Sequence, residues 1–133
     1  MNKSQTSKQN RIYDLEERTA KFGEDIIQFA KKIPVNEITK RLIPQVVGAG
    51  TSIGANYCEA DDAESPRDFT HKIGICKKES RESKHFLRMI SVAAPELKAE
   101  AQVLWQEAKE LNLIFNSIFI KVKNKQRNSN YSK

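Results

Sequence analysis

The chain has 133 residues, is 38% hydrophobic, and carries a formal net charge of +6 from 23 Lys+Arg against 17 Asp+Glu. That length suits one compact domain around one core, because two smaller units would each bury too little apolar surface without disulfides or metal. No stretch approaches the ~20 uninterrupted apolar residues that span a bilayer. Met1-Asn2-Lys3-Ser4-Gln5 has no apolar run behind its lysine, so it is no secretory signal. Cys58 and Cys76 lack CxxC spacing, and both are expected as small core residues of a soluble protein in a reducing cytoplasm.

With only 5 Gly and 4 Pro, the composition favours helices. Residues 1–11 are polar and aperiodic, a loose arm. A first helix is expected over about 13–33, where Leu15, Thr19, Phe22, Ile26, Phe29 and Ile33 step by four and three. Pro34 ends it by disfavouring helical backbone at the preceding residue. A second, over about 36–62, starts with Asn36 as N-cap and carries Ile38, Leu42, Val46 and Val47 on its apolar face. Pro44 within it predicts a bend or a late start. The run Gly48-Ala49-Gly50-Thr51-Ser52-Ile53-Gly54-Ala55 costs roughly 1 kcal/mol of helix stability per glycine, which close approach of another helix would offset.

Ser65-Pro66 predicts the start of a third helix, over about 66–93, with serine as N-cap and proline at the first helical position. Phe69, Ile73, Cys76, Ser80, Ser83, Leu87 and Ile90 form its stripe. After Pro95 a fourth helix, about 96–123, repeats the pattern through Leu97, Ala101, Leu104, Ala108, Leu111, Phe115, Ile118 and Val122. The basic residues 124–133 are expected as a disordered tail. Short connections between four such stripes predict an all-α, antiparallel up-down-up-down four-helix bundle with left-handed crossings.

Catalytic and cofactor motifs are weak. The glycine run fails the G-x-G-x-x-G fingerprint, because Ile53 stands where the third glycine would be. Glu59, Asp61, Asp62 and Glu64 crowd one helix end near His71, without the Glu-x-x-His pattern of bundle metal sites. Arg81 and His85, four apart, could hold a phosphate and act as a general base in a helical ribonuclease, but the spacing arises easily by chance. The expectation is no enzyme, no metal and no cofactor.

Charge placement is more informative. The third helix carries Arg67, Lys72, Lys77, Lys78, Arg81, Lys84 and Arg88, and Lys77, Arg81, Lys84 and Arg88 form one ridge beside the apolar stripe. Lys121, Lys123, Lys125 and Arg127 follow near the C-terminus. Such a ridge can track a phosphate backbone, releasing counterions as it binds. The alternatives are a solvated face salt-bridged to acidic neighbours, for instance on the first helix, or a face that meets an acidic protein. Few exposed aromatics interleave with these bases; Tyr131 is one candidate, and sequence-specific stacking recognition is not evident.

Three segments carry a resemblance. Ser52-Ile53-Gly54-Ala55-Asn56-Tyr57-Cys58-Glu59 follows an S-I-x-A-N-x-x-E pattern, Ser65-Pro66-Arg67-Asp68-Phe69-Thr70-His71-Lys72 a second motif, and Lys78-Glu79-Ser80-Arg81-Glu82-Ser83-Lys84-His85-Phe86-Leu87 a K-E-x-x-E-x-x-x-W-L pattern with Phe86 in place of tryptophan. Together they resemble the four-helix-bundle proteins encoded in intervening sequences of bacterial 23S ribosomal RNA genes, loosely over about residues 15–125. The resemblance implies a ring-like homopentamer without enzymatic activity. It is similar also to the accessory variability determinant of diversity-generating retroelements, which implies nucleic-acid binding and a reverse-transcriptase partner. At the motif positions, Asn56, Glu59, Glu79 and Glu82 are expected to make polar contacts between helices or subunits.

Overall fold

The structure, a computed structural model, describes residues 14–131, with side chains described through residue 129. The expected arm 1–11, the proposed helix start at 13 and the Tyr131 side chain lie outside the described residues. Four helices follow in order: α1 (Leu15–Lys32), α2 (Thr39–Asp61), α3 (Pro66–Ala93) and α4 (Lys98–Tyr131), with a 3-10 turn at Pro95–Leu97 before α4. There is no strand among the described residues, and none of the described helices is long and apolar enough to cross a membrane.

Each helix forms where its apolar stripe can be buried. In α1, Leu15, Thr19, Phe22, Ile26 and Phe29 are buried, as is Ile33 just beyond it. Thr19 tolerates that position because its hydroxyl donates to the Leu15 carbonyl at 2.7 Å. Ile33 is extended (φ −74°, ψ 121°), the backbone that Pro34 demands. α2 starts at Thr39, three residues after the expected Asn36. Asn36 still caps, since its Oδ1 accepts the backbone N–H groups of Ile38 and Thr39, both at 2.9 Å. Pro44 lies inside α2, where it removes the donor that would meet the Lys40 carbonyl.

The glycine run brings α2 against α1. A Cβ on Gly50 would stand 2.7 Å from Ile26 Cγ1, and one on Gly54 3.4 Å from the Thr19 backbone. Gly48 is the exception, with nothing within 4 Å of the Cβ position.

Ser65 caps α3, its Oγ accepting the Asp68 N–H at 3.1 Å. Ile73, Cys76, Ser80, Ser83, Leu87 and Ile90 are buried along it. The two serines donate to the carbonyls of Lys77 and Glu79, and Asn112 of α4 donates to the Lys77 carbonyl (2.8 Å) and Ser80 Oγ (3.1 Å). Among the described residues no buried side-chain polar atom lacks a partner.

In α4, Ala101, Ala108, Leu111 and Phe115 are buried. The helix does not fray near residue 123 but continues through the expected tail to Tyr131. Lys, Gln and Arg propagate helix well, and neither Gly nor Pro interrupts after Pro95. Gln126 also ties this end to α3, donating to the Pro66 carbonyl (3.1 Å) and Thr70 Oγ1 (2.9 Å). α1 packs on α2, α2 on α3, α3 on α4 and α4 on α1, while the backbones of the diagonal pairs do not approach. The core lies between them.

Candidate nucleic-acid interface

Burying the Ile73–Ile90 stripe of α3 turns the rest of that helix outward. Lys77, Lys78, Arg81 and His85 line an open groove of about 720 Å³ with Gln45 of α2 and Phe119 of α4. Phe86, Glu82 and Gly74 complete it. Phe86 and Phe119 are half-buried. Phe119 is seated against Gly74, where a Cβ would stand 3.2 Å from its ring. Lys77 Nζ lies 4.9 Å and Lys123 Nζ 5.7 Å from the Phe119 ring centroid, and the edge of His85 meets Phe86 with centroids 5.2 Å apart.

The groove sets Lys77, Lys78 and Arg81 against one lining carboxylate, Glu82, and is net positive. Lys77, Lys78 and Arg81 pair with no described acid, nor do Arg67, Lys84 and Arg88. The pairing with α1 acids weighed above does not occur among the described residues. α1 turns its own cations to acids elsewhere: Arg18 binds Glu107 and Glu110 of α4 at 2.7 and 3.1 Å, and Lys32 binds Glu100 at 3.1 Å.

The remaining basic positions divide. Lys84 turns to Trp105 of α4, its Nζ 5.7 Å from the ring, with Lys109 at 5.6 Å. Arg88 and Trp105 line a second groove of about 610 Å³ at the α3–α4 end. Lys72 leaves the set by pairing with Glu59 of α2. Arg67 is exposed at the start of α3, and Lys121, Lys125 and Arg127 are exposed on the last turns of α4. Of the C-terminal cations, Lys123 is the one brought to Phe119. The sequence reading missed Phe86, Trp105 and Phe119. A usable signal was present: Trp105–Lys109 and Phe119–Lys123 both place a lysine four residues after an aromatic, on the same helix face.

Of the four motif positions, Glu59 makes an inter-helix contact, to Lys72. Asn56 donates to the Ser52 carbonyl of its own helix at 2.9 Å. That spacing lets the short amide reach back one turn. Glu79 is half-buried, pairs with no described cation, and has its carboxyl pushed above the usual range by burial and then by Glu82. Glu82 lines the groove.

Arg81 and His85 do share one groove. Among the described residues, no three His, Cys, Asp or Glu side chains gather as a metal would require. Cys76 is buried, and burial pushes its thiol up to about 12. Cys58, expected in the core, is exposed and donates to Glu16 at 3.6 Å, because its position on α2 falls outside the buried Val46–Ile53–Ala60 stripe.

Fold and site together define a four-helix bundle with a cationic, aromatic-bearing face on its third helix. The chain belongs to the 23S rRNA-intervening sequence protein family, whose model matches residues 11–117. It is also similar to a solved structure of a protein of unknown function from the S23 ribosomal protein family of Bacteroides thetaiotaomicron VPI-5482. The two share 28% identity with a TM-score of 0.70, over 78% of this chain and 96% of that one. No curated protein matches the chain. Phe119 and the cations from Lys121 to Arg127 lie beyond the residues matched to the family.

Proposed function

We propose that this chain is a non-catalytic, homo-oligomeric bundle of the cytoplasm that binds nucleic acid, RNA or DNA, largely through phosphate contacts. The observation that carries the reading is the convergence of Lys77, Lys78 and Arg81 on one groove without an acidic partner among the described residues. Desolvated by phosphates, such cations release counterions and gain affinity at low salt. Phosphates are common to every sequence, so sequence preference is small.

An antiparallel, left-handed up-down-up-down bundle underlies the proposal. The order of the cross-helix pairs supports its antiparallel directions, and the left-handed crossing rests on the heptad spacing. Arg18 meets Glu107 and the later Lys32 meets the earlier Glu100, while Pro66 at the start of α3 meets Gln126 near the end of α4. Assembly into a ring of five rests on the family resemblance. The exposed aliphatics Val35, Ile38, Val92 and Val103 support a covered surface. A related scaffold role, as in retroelement accessory proteins, follows the same resemblance.

The test is removal of charge from the groove. The double variant Lys78→Ala/Arg81→Ala is expected to lose about tenfold or more in RNA affinity at low salt, while Lys21→Ala on α1 loses little. Equal losses from both would contradict the assignment of the site.

A second reading, an adaptor for a protein such as a reverse transcriptase, is favoured by the groove beside Trp105, where Val92 is 74% exposed. Recovery of one protein partner after nuclease treatment, undiminished by Lys78→Ala/Arg81→Ala, would support it over the first.

A further inference from the structure

Cations alone hold duplex and single strand alike, because phosphates line both. The α3 groove contains two kinds of group that a phosphate backbone does not use. We propose that it selects single-stranded nucleic acid, with an unpaired base stacked on Phe119 and the flanking phosphates held by Lys77, Lys78 and Arg81. This rests on the nucleic-acid reading above and names the form of ligand that the same groove takes.

Phe119 is the first such group. It is half-buried at the groove wall, seated against Gly74, and lines the same groove as all three cations. Any base offers a π-face, but in a duplex both faces are occupied by neighbouring base pairs, so only an unpaired base can stack on a side chain. Lys77 and Lys123 now lie over the ring. An exposed cation–π contact is weaker than a base–aromatic stack, so an arriving base displaces the exposed Lys123, which then has a phosphate to meet. The groove, about 720 Å³, lies within the ~300–1,000 Å³ range of pockets that enclose small ligands.

Glu82 is the second. A carboxylate among three cations repels a phosphate and weakens any site built for phosphate alone. It accepts N–H groups, and the amino and imino groups of a base edge are free where the base is unpaired. Gln45 faces the same groove from α2 and can both donate and accept there. An aromatic wall, a carboxylate and an amide lining one groove with three cations fit a splayed nucleotide better than a duplex backbone.

The experiment measures the affinity of the full-length protein for a short single-stranded RNA and for the same sequence closed into a duplex, at one low salt concentration. The wild-type protein is expected to bind the single strand at least about fivefold more tightly, the lower end of one base–aromatic stack. Phe119→Leu keeps apolar bulk against Gly74 but has no π-face. It is expected to remove most of that preference while changing duplex affinity less than about twofold and leaving the salt dependence intact. Glu82→Gln narrows the preference and raises duplex affinity, since it deletes a charge that repels phosphate. Equal wild-type affinity for the two forms overturns the proposal and leaves the phosphate reading standing. So does an equal loss on both forms from Phe119→Leu in a variant with the wild-type helical spectrum. Absence of binding to either form refutes the nucleic-acid reading itself. The wild-type comparison needs no variant to fold.

Discussion

Two glycines two residues apart in α2 should respond to the same substitution in opposite directions. A methyl group on Gly50 would come within 2.7 Å of Ile26 Cγ1, 3.0 Å of Cγ2 and 3.1 Å of Cβ, against roughly 3.5–4.0 Å for an unstrained carbon contact. The clash reaches the root of the branched side chain, and Ile26 is fully buried, so no rotation at its tip relieves it. Overpacking of this kind costs about 1–3 kcal/mol. Alanine returns about 1 kcal/mol of helix propensity, and because the obstruction is at Cβ the upper part of the range applies, for a net loss of about 2 kcal/mol. Gly48→Ala meets nothing within 4 Å and should gain about 1 kcal/mol. For a chain of this size each kcal/mol moves Tm by roughly 3–5 °C. Circular-dichroism melts should therefore separate the two variants by about 10 °C, with wild type between them. A Gly50→Ala protein as stable as wild type would refute the close approach of α1 and α2. A Gly48→Ala protein that melts lower and loses mass in solution would show that its outward side is covered by another subunit.

Four further outcomes follow from single residues. Ser65→Ala removes the hydroxyl that accepts the Asp68 N–H and should cost about 1 kcal/mol in urea unfolding, whereas Ser65→Asp should restore most of it. In the native protein a thiol reagent should modify Cys58, which is exposed, and reach Cys76 only on unfolding. Cys76 binds its proton more tightly folded than unfolded, at about 12 against 9.0. Its contribution to stability is therefore intact below pH 9 and declines as pH rises from there towards 12, a decline that Cys76→Ala should abolish. Glu79 is half-buried and forms no ion pair among the described residues, and burial, then Glu82, raise its carboxyl against a smaller opposing pull from Lys78. If the chain acts alone, Glu79→Gln should raise Tm at pH 7. A lower Tm together with a smaller assembly would instead identify Glu79 as a contact between subunits.

Much of the bundle was legible because helical periodicity is a local property. The residues from Leu15 to Ile33 that step by four and three are buried as expected, and so are Ile73 to Ile90 in α3 and Ala101, Ala108, Leu111 and Phe115 in α4, with Leu104 half-buried between them. Ser80 and Ser83 fitted the stripe despite their polarity, and the structure supplies the reason in their bonds to backbone carbonyls and Asn112. α2 was harder to read. Ile38, assigned to its apolar face, is 65% exposed before the helix begins, since Thr39 and Asn36 form the cap instead. The extension of α4 was hidden because a Lys/Asn/Gln-rich sequence reads as solvated whether or not Gln126 is tethered to α3. The site was legible in its charge and not in its aromatics. Phe119 stands next to Ile118 in the α4 stripe; Lys123 four residues on was a local signal, whereas its seat against Gly74 and its contact with Lys77 come from another helix. Contacts between helices distant in sequence leave no periodic trace.

The central claim is that unpaired cations on α3 hold phosphates, and its most direct test is the salt dependence of RNA binding by the wild-type protein. Three groove cations that each neutralise a phosphate predict log K falling linearly with log salt, with a slope of about −2 to −3 per protomer. Arg81→Ala should make it shallower by about one contact's share. A flat salt dependence, or no binding at low ionic strength, would contradict the account.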